Sequence, residues 1–257
     1  MSYFVYDSIN QYRSDNTVSE GTFSNTTFSV NSSALTSHER VSDQNIGKVM
    51  SGVSQNDAIC YQVGSAVAAN CVAIYFAGDC GIGVQDGSEN TIRFGTDITN
   101  LTGGVNFGSG GSSASWRVAS FTEVTSKTKF CVEFNDVQNN IAEILIGNKL
   151  DFEIEPDVNV QSSKDYGTEV TRSIGGVEYA LNIHDGQEVS TISFQNISST
   201  FKASLITMQD ALKGQGKKFL WYDGSKLNWV RLDAPLVFTE IADGRFSTQI
   251  KMRQQIQ

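Results

Sequence analysis

Apolar residues in this chain recur at every second position in short segments, and turn-forming residues separate those segments. Residues 27–30 (TFSV) show this alternation, and residues 246–252 (FSTQIKM) show it over a longer stretch. Successive side chains of a β-strand point to opposite faces, so the pattern predicts strands with one covered face. Only 2 of the 257 residues are Pro and 23 are Gly, which favours strands joined by tight turns. We therefore expect a mainly β protein.

Length and a change in composition predict two domains. A chain of 257 residues exceeds what one small β-sandwich needs. Residues 157–167 (DVNVQSSKDYG) are polar and poor in apolar positions, as is typical of a segment between domains. We place the boundary near residue 163, which gives domains 1–163 and 164–257.

The first domain is expected to be built from buried strands. Apolar runs at Ile59–Val63 and Cys71–Phe76 predict two of them, with a turn at Gly64–Ala69 between. The Gly-rich stretch Gly103–Ser115 is too poor in apolar residues to pack and predicts an exposed, flexible loop. Later strands are predicted at residues 116–121, 129–134, 141–146 and 152–156, the last closing the domain at Pro156.

The second domain is expected to combine strands with one α-helix. In segment 201–213 the residues Phe201, Leu205, Met208 and Leu212 fall on one helical face. Ser199 or Thr200 is suited to cap its start, and Lys213-Gly214 its end. Strands are predicted at residues 169–174, 177–183 and 189–194, followed by two hairpins, 219–222 with 227–232 and 236–241 with 246–252.

Charge excludes one class of partner. The formal net charge is −9, and no basic run is longer than Lys217-Lys218, so the chain has no positively charged surface that would bind the phosphate backbone of nucleic acid.

Residues 1–15 contain no apolar stretch of the length that a signal peptide or a membrane span needs, which predicts a soluble protein made in the cytoplasm. The four cysteines lack the close pairing of zinc ligands and are expected to be buried thiols: Cys60, Cys71, Cys80 and Cys131.

No combination of residues predicts a catalytic, cofactor or metal site. The two histidines, His38 and His184, lie in polar segments without the signature of a nucleophile and base pair. Glu153, Glu155 and Asp157 alternate onto one strand face and could serve glycoside hydrolysis, but a solvated strand face accounts for them better. Calcium could bind to these carboxylates, or to Asp136 with Asn139, but neither set has the spacing of a calcium-binding loop. The glycines Gly78, Gly81 and Gly83 follow a predicted strand, but no predicted helix comes after them whose N-terminus could bind a phosphate.

Two groups of residues in the second domain are candidates for binding. Trp221, Tyr222 and Trp229 lie on one predicted hairpin, where they either stack on a sugar ring or pair across the strands of the core. In the last strand, Ser247, Gln249, Lys251 and Arg253 alternate with apolar residues, so one face carries polar side chains that a neighbouring subunit could contact.

The order of elements resembles a known family. The segments AVAANCVAIYFAG and KFCVEFNDVQNNIAEILIGNKLDFE, separated by a Gly-rich stretch, resemble the galactose-binding-like (discoidin-type) jelly roll of tailed-phage tail proteins. Their recurrent strands would be Asn70–Phe76 and Ile141–Leu150 here. The second domain, with SIGGVEYAL, the helix, GKKFLWYDG and the closing hairpin, resembles the tail-tube-like domain of phage distal-tail and minor tail proteins, although many of those proteins place this domain first.

This resemblance implies a fold class and a role. The fold would be an N-terminal jelly-roll β-sandwich, followed by a tail-tube-like β-barrel or sandwich domain with one helix. The role would be that of a non-enzymatic structural protein of the virion, located at the tail tip. It would form a homo-oligomeric ring of three or six subunits that joins the tail tube to hub, fibre or receptor-binding proteins, through contacts between two different faces of each subunit.

Two alternatives stay open at the level of the sequence. A carbohydrate-binding module or adhesin that recognises a host-surface glycan would also use a discoidin-like domain and exposed loops around Gly103–Ser115. A hydrolase of cell-wall or capsule glycans would depend on Glu153, Glu155 and Asp157 alone.

Overall fold

The structure of the protein is a computed structural model that describes most of the C-terminal half and separate segments of the N-terminal half. The described residues are 1–7, 17–24, 27–29, 57–77, 91–95, 102–106, 115–134, 141–157, 160–183 and 186–255.

The described residues form sixteen strands and one helix. The first eight strands are β1 (Tyr3–Asp7), β2 (Thr17–Ser24), β3 (Thr27–Ser29), β4 (Asp57–Phe76), β5 (Thr91–Gly95), β6 (Thr102–Asn106), β7 (Ser115–Phe134) and β8 (Ile141–Asp151). The remainder are β9 (Gln161–Asp165), β10 (Thr168–Arg172), β11 (Glu178–Asn182), β12 (Gln187–Ser198), α1 (Ser199–Ala211), β13 (Lys218–Tyr222), β14 (Leu227–Leu232), β15 (Val237–Ala242) and β16 (Arg245–Gln254). The predicted class, mainly β with antiparallel strands of the sandwich type and a helix, is confirmed.

The chain divides into two compact units. One unit contains Val5–Lys149, and the other contains Leu150–Gln257 together with Met1–Phe4. We call them the 5–149 unit and the C-terminal unit. The predicted boundary lay near residue 163, whereas the contacts group residues 150–163 with the C-terminal unit. The side chain that explains this grouping is Phe152, whose ring packs edge-on against Phe4 at 4.6 Å and Phe194 at 5.1 Å between centroids.

In the 5–149 unit, the strand β4 lies between β7 and β8 and pairs antiparallel with both. The two segments that carry the sequence resemblance, Asn70–Phe76 and Ile141–Leu150, are therefore neighbouring strands, with Val72 opposite Ile146. Residues 71–76 and 141–147 of these segments are buried, whereas Asn70 and residues 148–150 are half-buried. At their polar end, the Asn70 Oδ1 accepts a hydrogen bond of 2.6 Å from the backbone N–H of Lys149, so a side chain extends the ladder where the strands separate.

Three details of the chain up to residue 156 differ from the sequence predictions. Residues 57–76 form one strand, because the backbone continues through Gly64–Ala69 by shifts of register rather than by a turn. Residues 103–106 belong to strand β6, since a Gly-rich segment can still form the backbone hydrogen bonds of a ladder with β5. Residues 152–156 are not a strand: β8 ends at Asp151, and Phe152 turns into the aromatic core.

The cysteines also depart from the expectation of four buried thiols. Cys71 is a buried thiol that forms no disulfide, as predicted. Cys131 is disulfide-bonded instead. The strand register places the backbone of Cys131 directly opposite that of Cys60, a proximity that the spacing of cysteines in the sequence does not reveal.

The C-terminal unit is an antiparallel sheet with the strand order β13-β14-β16-β12-β9, and β15 pairs with another part of β16. Both predicted hairpins are present. Their turns contain Gly224 and Gly244 with φ values of 95° and 65°, a backbone conformation that glycine adopts at low cost. Thr248, Ile250 and Met252 of β16 are buried and Gln249 and Lys251 are exposed, which confirms the predicted alternation.

The helix α1 packs on the buried face of this sheet, against β12 and β16. Its buried side chains, Phe201, Leu205 and Met208, are those predicted from their spacing, and Leu212 follows them at the C-terminal cap. The N-terminal cap is Ser198 rather than Ser199 or Thr200. Its Oγ accepts a hydrogen bond of 3.0 Å from the N–H of Phe201, and Glu153 accepts hydrogen bonds from the Ser198 N–H and hydroxyl.

We expect Ser198→Ala to lower the free energy of unfolding of the C-terminal unit by about 1–2 kcal/mol, because it removes the cap of α1 and one hydrogen bond of Glu153. Urea unfolding followed by circular dichroism measures the change. Ser199→Ala alters an exposed residue in the first turn and is the matched control. Equal effects of the two substitutions would contradict the assignment of the cap.

Candidate functional site

The C-terminal unit contains a trough of about 450 Å³ on the same face of the sheet that α1 covers further along. Strand register identifies the face. Residues directly opposite each other in antiparallel strands share a face, and the pairs Trp221 with Asn228 and Ser190 with Met252 both line the trough. The trough therefore lies over the end of the sheet that the helix leaves uncovered.

The base of the trough is apolar with a few polar groups. Trp221, Val230 and Met252 supply the apolar surface, and all three are buried. The indole nitrogen of Trp221 is buried and has no hydrogen-bond partner among the described residues. Asn228 lies beside it, and its amide donates a 3.0 Å hydrogen bond to Asp223. A concave site with an apolar base and a few converging polar groups is the usual form of a small-molecule site.

The rim of the trough is mostly acidic. Four carboxylates and one amine line it: Glu155, Asp157, Glu188, Asp223 and Lys226. A rim with this charge attracts hydrogen-bond donors and repels anions.

Asp223 also stabilises the turn between β13 and β14. Its Oδ1 accepts hydrogen bonds from the N–H groups of Ser225 and Lys226 at 2.8 and 2.9 Å. Burial by itself would raise the pKa of Asp223, but these hydrogen bonds outweigh burial and lower it. The carboxylate is therefore ionised at neutral pH and holds the turn at the edge of the trough.

The three carboxylates considered for hydrolysis have separate environments. Glu153 supports the cap of α1 through Ser198. Glu155 accepts a 2.8 Å hydrogen bond from the N–H of Ser2, and its hydrogen bonds with the Ser2 side chain and backbone lower its pKa. Asp157 lines the trough and is exposed. An acid with a lowered pKa is a poor proton donor at neutral pH, so Glu155 is unsuited to act as a general acid.

The aromatic residues singled out from the sequence do not form one surface. Trp221 and Trp229 are only 7% and 3% exposed, so neither presents an open ring face. Tyr222 stacks on Tyr3 with a centroid distance of 4.8 Å, and its hydroxyl donates to the carbonyl of Gly224. Of the three, Trp221 alone lines the trough. Cross-strand packing, the second interpretation made from the sequence, accounts for the positions of the other two.

The polar residues of β16 lie on the opposite face of the sheet. Ser247, Gln249 and Lys251 line a groove of about 540 Å³ there, together with Thr191 of β12 and Val237 of β15. We call this surface the groove. Arg253, the fourth residue predicted to contact a neighbouring subunit, does not line it.

Arg253 is instead held by two carboxylates. Its Nε donates to Asp233 at 2.8 Å and its Nη1 to Asp165 at 2.6 Å. Lys251 also contacts Asp233, at 3.0 Å. Burial by itself would raise the pKa of Asp233, but the hydrogen bonds from Arg253 and Lys251 lower it below its usual value. This ion-pair network ties β16 to β9 and to the segment after β14.

Several candidates from the sequence lie outside the described residues: His38, His184, Asp136, Asn139, Gly78, Gly81, Gly83 and Cys80. Within the described ranges, no three His, Cys, Asp or Glu side chains are grouped as metal ligands. No helix in the part of the chain that the structure describes has the length and hydropathy to span a membrane.

No protein-family model matches the sequence, and a search of curated proteins finds no match. Solved structures similar to this chain include carbohydrate-binding modules of family 32. One is the module of AlyQ in complex with 4,5-unsaturated mannuronic acid, at 22% identity and a TM-score of 0.36, covering 57% of this chain and 97% of that chain. Another is the family 32 module of Clostridium perfringens NanJ in complex with galactose, at 12% identity and a TM-score of 0.35, covering 57% and 98%.

A longer structure, truncated AlyQ with its family 32 module and alginate lyase domains, covers 88% of this chain and 56% of that chain at 16% identity and a TM-score of 0.39. The similar structures named here are binding modules or contain one, and none of them is a phage tail protein.

We expect Arg253→Met to lower the free energy of unfolding at pH 7 by about 2 kcal/mol, because it leaves Asp233, which is 12% exposed, without its main partner. The pKa of Asp233 is lowered in the folded protein, so its contribution is complete above its unfolded pKa, about 3.9, and is lost as pH falls through the folded value. The wild type should therefore lose more stability than the variant on acidification below about pH 4.

Denaturant unfolding at a series of pH values measures both effects. Arg231→Met is the matched control, because Arg231 lies opposite Arg253 in the register but is exposed. Parallel pH profiles of the wild type and Arg253→Met would show that the network contributes nothing.

Proposed function

We propose that this protein is a non-catalytic β protein that binds carbohydrate in the trough of its C-terminal unit. The observation that carries the proposal is the trough itself, with the buried Trp221, Val230 and Met252 at its base and carboxylates at its rim. A sugar ring has apolar C–H faces and a periphery of hydroxyl donors. The C–H surface would lie over the base, of which only small parts of Trp221 and Val230 are exposed, while the carboxylates and the Asn228 amide oxygen can accept hydrogen bonds at the periphery.

The volume of the trough, about 450 Å³, is within the usual range for small-molecule sites. Carboxylates form the stronger, charge-assisted class of hydrogen bond with hydroxyl groups. The rim has four acids and one amine, and the whole chain has a net charge of −9. A neutral sugar or an amino sugar suits this surface, whereas a uronic acid would be repelled.

We expect saturable binding of galactose or a galactose-terminated disaccharide, neutral sugars of the kind present in the similar structures, in a calorimetric titration. Glu188→Gln should weaken this binding roughly tenfold or more, because it replaces an ionised acceptor by a neutral amide of the same size. Binding should also change the fluorescence of Trp221, and Trp221→Phe should abolish that change while the titration still reports binding.

Glu240→Gln makes the same chemical change at an exposed residue of β15 that does not line the trough, and it should bind like the wild type. Glucuronic acid tests the charge argument. Absence of saturable binding across neutral and amino sugars, or an equal loss in Glu188→Gln and Glu240→Gln, would overturn the proposal.

A second candidate function is the structural role that the sequence resemblance implies, a non-enzymatic component of a phage tail tip that forms a ring and joins tube, hub and fibre proteins. The observation that favours an assembling protein is the hairpin of β10 and β11. Both strands are exposed along their whole length, and they carry the apolar residues Val170, Tyr179 and Leu181. Apolar surface of this kind on a soluble protein commonly marks a contact with another protein.

Mass spectrometry of purified virions from a host that expresses this chain tests the second candidate. A tail component should copurify with particles at a stoichiometry of a few copies per tail and should persist after washing in high salt, because apolar contacts are not screened. A chain that stays in the lysate and is absent from particles would exclude the virion role and leave the carbohydrate proposal untouched.

A further inference from the structure

The four carboxylates at the rim of the trough differ in how far the protein itself uses them. Both oxygens of Asp223 are engaged: Oδ1 accepts the two N–H groups of its own turn, and Oδ2 accepts a 3.0 Å hydrogen bond from the Asn228 amide. Glu155 accepts a 2.8 Å hydrogen bond from the N–H of Ser2. These two acids are therefore already occupied by donors of the chain.

Asp157 and Glu188 are the two rim acids that pair with no cation among the described residues. The backbone of Asp157 is fixed by a 2.8 Å hydrogen bond from its N–H to the Ser193 carbonyl, but its exposed carboxylate has no partner in the described part of the chain. Glu188 is half-buried and accepts one long hydrogen bond, 3.2 Å from the Ser162 hydroxyl. Lys164 lies opposite Glu188 in the register, but the two side chains form no ion pair, and Lys164 does not line the trough. Both carboxylates are therefore free to accept from a ligand.

The one amine of the described rim does not balance these acids. Lys226 lies in the turn between β13 and β14, whereas Glu188 belongs to β12, and β16 lies between β14 and β12 in the sheet. Two strand spacings, about 10 Å, therefore separate the backbone of Glu188 from that of β14. With four acids and one amine, the rim keeps an excess of negative charge. A concave surface of this charge attracts a cationic group.

The base of the trough adds a hydrogen-bond donor that lacks an acceptor. Trp221 is 7% exposed, and its buried indole N–H has no partner among the described residues. Buried donors are normally paired, because an unpaired donor has lost its hydrogen bond with water and gained nothing in return. This donor is independent of the acids at the rim. A ligand that satisfies both has to carry a neutral oxygen acceptor as well as a cation.

We propose that the trough is specific for a hexosamine, a hexose that carries a free, protonated amine, an inference that rests on the carbohydrate-binding function proposed above. The ammonium has three N–H donors for the acids Asp157 and Glu188, and the hydroxyl oxygens of the ring supply the acceptor that Trp221 lacks. Hydrogen bonds between ionised partners are roughly twice as strong as those between neutral ones. A neutral hexose lacks this charge and acetylation of the amine removes it, so both kinds of sugar bind more weakly.

Calorimetric titration of the full chain with galactosamine, galactose and N-acetylgalactosamine tests this specificity. At about pH 6, where the amine is protonated, and at low salt, galactosamine should bind roughly fivefold or more tightly than either neutral sugar. The advantage should shrink in about 0.5 M NaCl, because salt screens the charges of the rim, whereas the binding of galactose should be nearly independent of salt.

Asp157→Asn replaces one of the two free acids by a neutral amide of the same size. It should at least halve the ratio of the affinity for galactosamine to the affinity for galactose, because the ammonium loses an ionised acceptor. Asp210→Asn makes the same chemical change at an exposed residue of α1 that does not line the trough, and it should keep the wild-type ratio. Equal falls of the ratio in the two variants would overturn the assignment of the ammonium to Asp157.

Equal affinities of the wild type for galactosamine and galactose at low salt would overturn the specificity and leave the carbohydrate proposal standing. Ethanolamine, an ammonium with one hydroxyl and no sugar ring, should bind roughly tenfold or more weakly than galactosamine, because it leaves the base uncovered. Equally tight binding of ethanolamine would show recognition of an amine alone and overturn the assignment of a hexosamine. Absence of binding by all three sugars would reject the carbohydrate proposal itself, so the two failures are distinguishable.

Discussion

The phenylalanine cluster of the C-terminal unit is the constraint on which the trough and the placement of α1 depend. Phe152 contacts Phe4, Phe194 and Phe201 with centroid distances between 4.6 and 6.2 Å, and Phe4 also contacts Phe219 at 5.3 Å. These rings come from five separate places along the chain. Because interiors are close-packed, moving any one of them forces the others to repack. The cluster thereby fixes the helix at one end of the sheet and leaves the other end uncovered, where the trough lies.

The sheet of the C-terminal unit presents two chemically different surfaces, and the alternation of side chains in β16 produces both. Met252 contributes to the base of the trough, whereas its neighbour Lys251 contributes to the groove. Residues one position apart in a strand point to opposite faces, so the trough and the groove can share the same ten residues without competing. A shift of register by one residue would exchange the two surfaces, and the ion pairs of Arg253 with Asp165 and Asp233 oppose such a shift.

The features that the sequence predicted well are local. The helical face of Phe201, Leu205 and Met208 and the hairpin turns at Gly224 and Gly244 follow from the spacing of a few consecutive residues. The cap was displaced by one residue, because Ser198, Ser199 and Thr200 all have side chains suited to capping, and only the hydrogen bonds with Phe201 and Glu153 distinguish Ser198.

The features that could not be predicted depend on distant parts of the chain. The trough combines Glu155, Glu188, Trp221 and Met252, which are brought together by strand pairing and by no motif. Trp221 was singled out with Tyr222 and Trp229 as either a stacking surface or part of the core, and the choice stayed open because burial cannot be read from a hairpin alone. The strands of the hairpin β10–β11 were predicted, as residues 169–174 and 177–183, but their separation from the larger sheet of the described residues depends on where β9 and β12 stop pairing.

The division of the chain has a consequence for the order in which the protein matures on the ribosome. Residues 1–4 belong to the unit whose remainder begins at Leu150, so the intervening unit is synthesised in between. Phe4 is synthesised before Phe152, Phe194 and Phe219, and the whole of the 5–149 unit lies between them. The ring contacts of Phe4 in this core can therefore form only after the 5–149 unit has been synthesised, which makes the core a late step of folding on the ribosome.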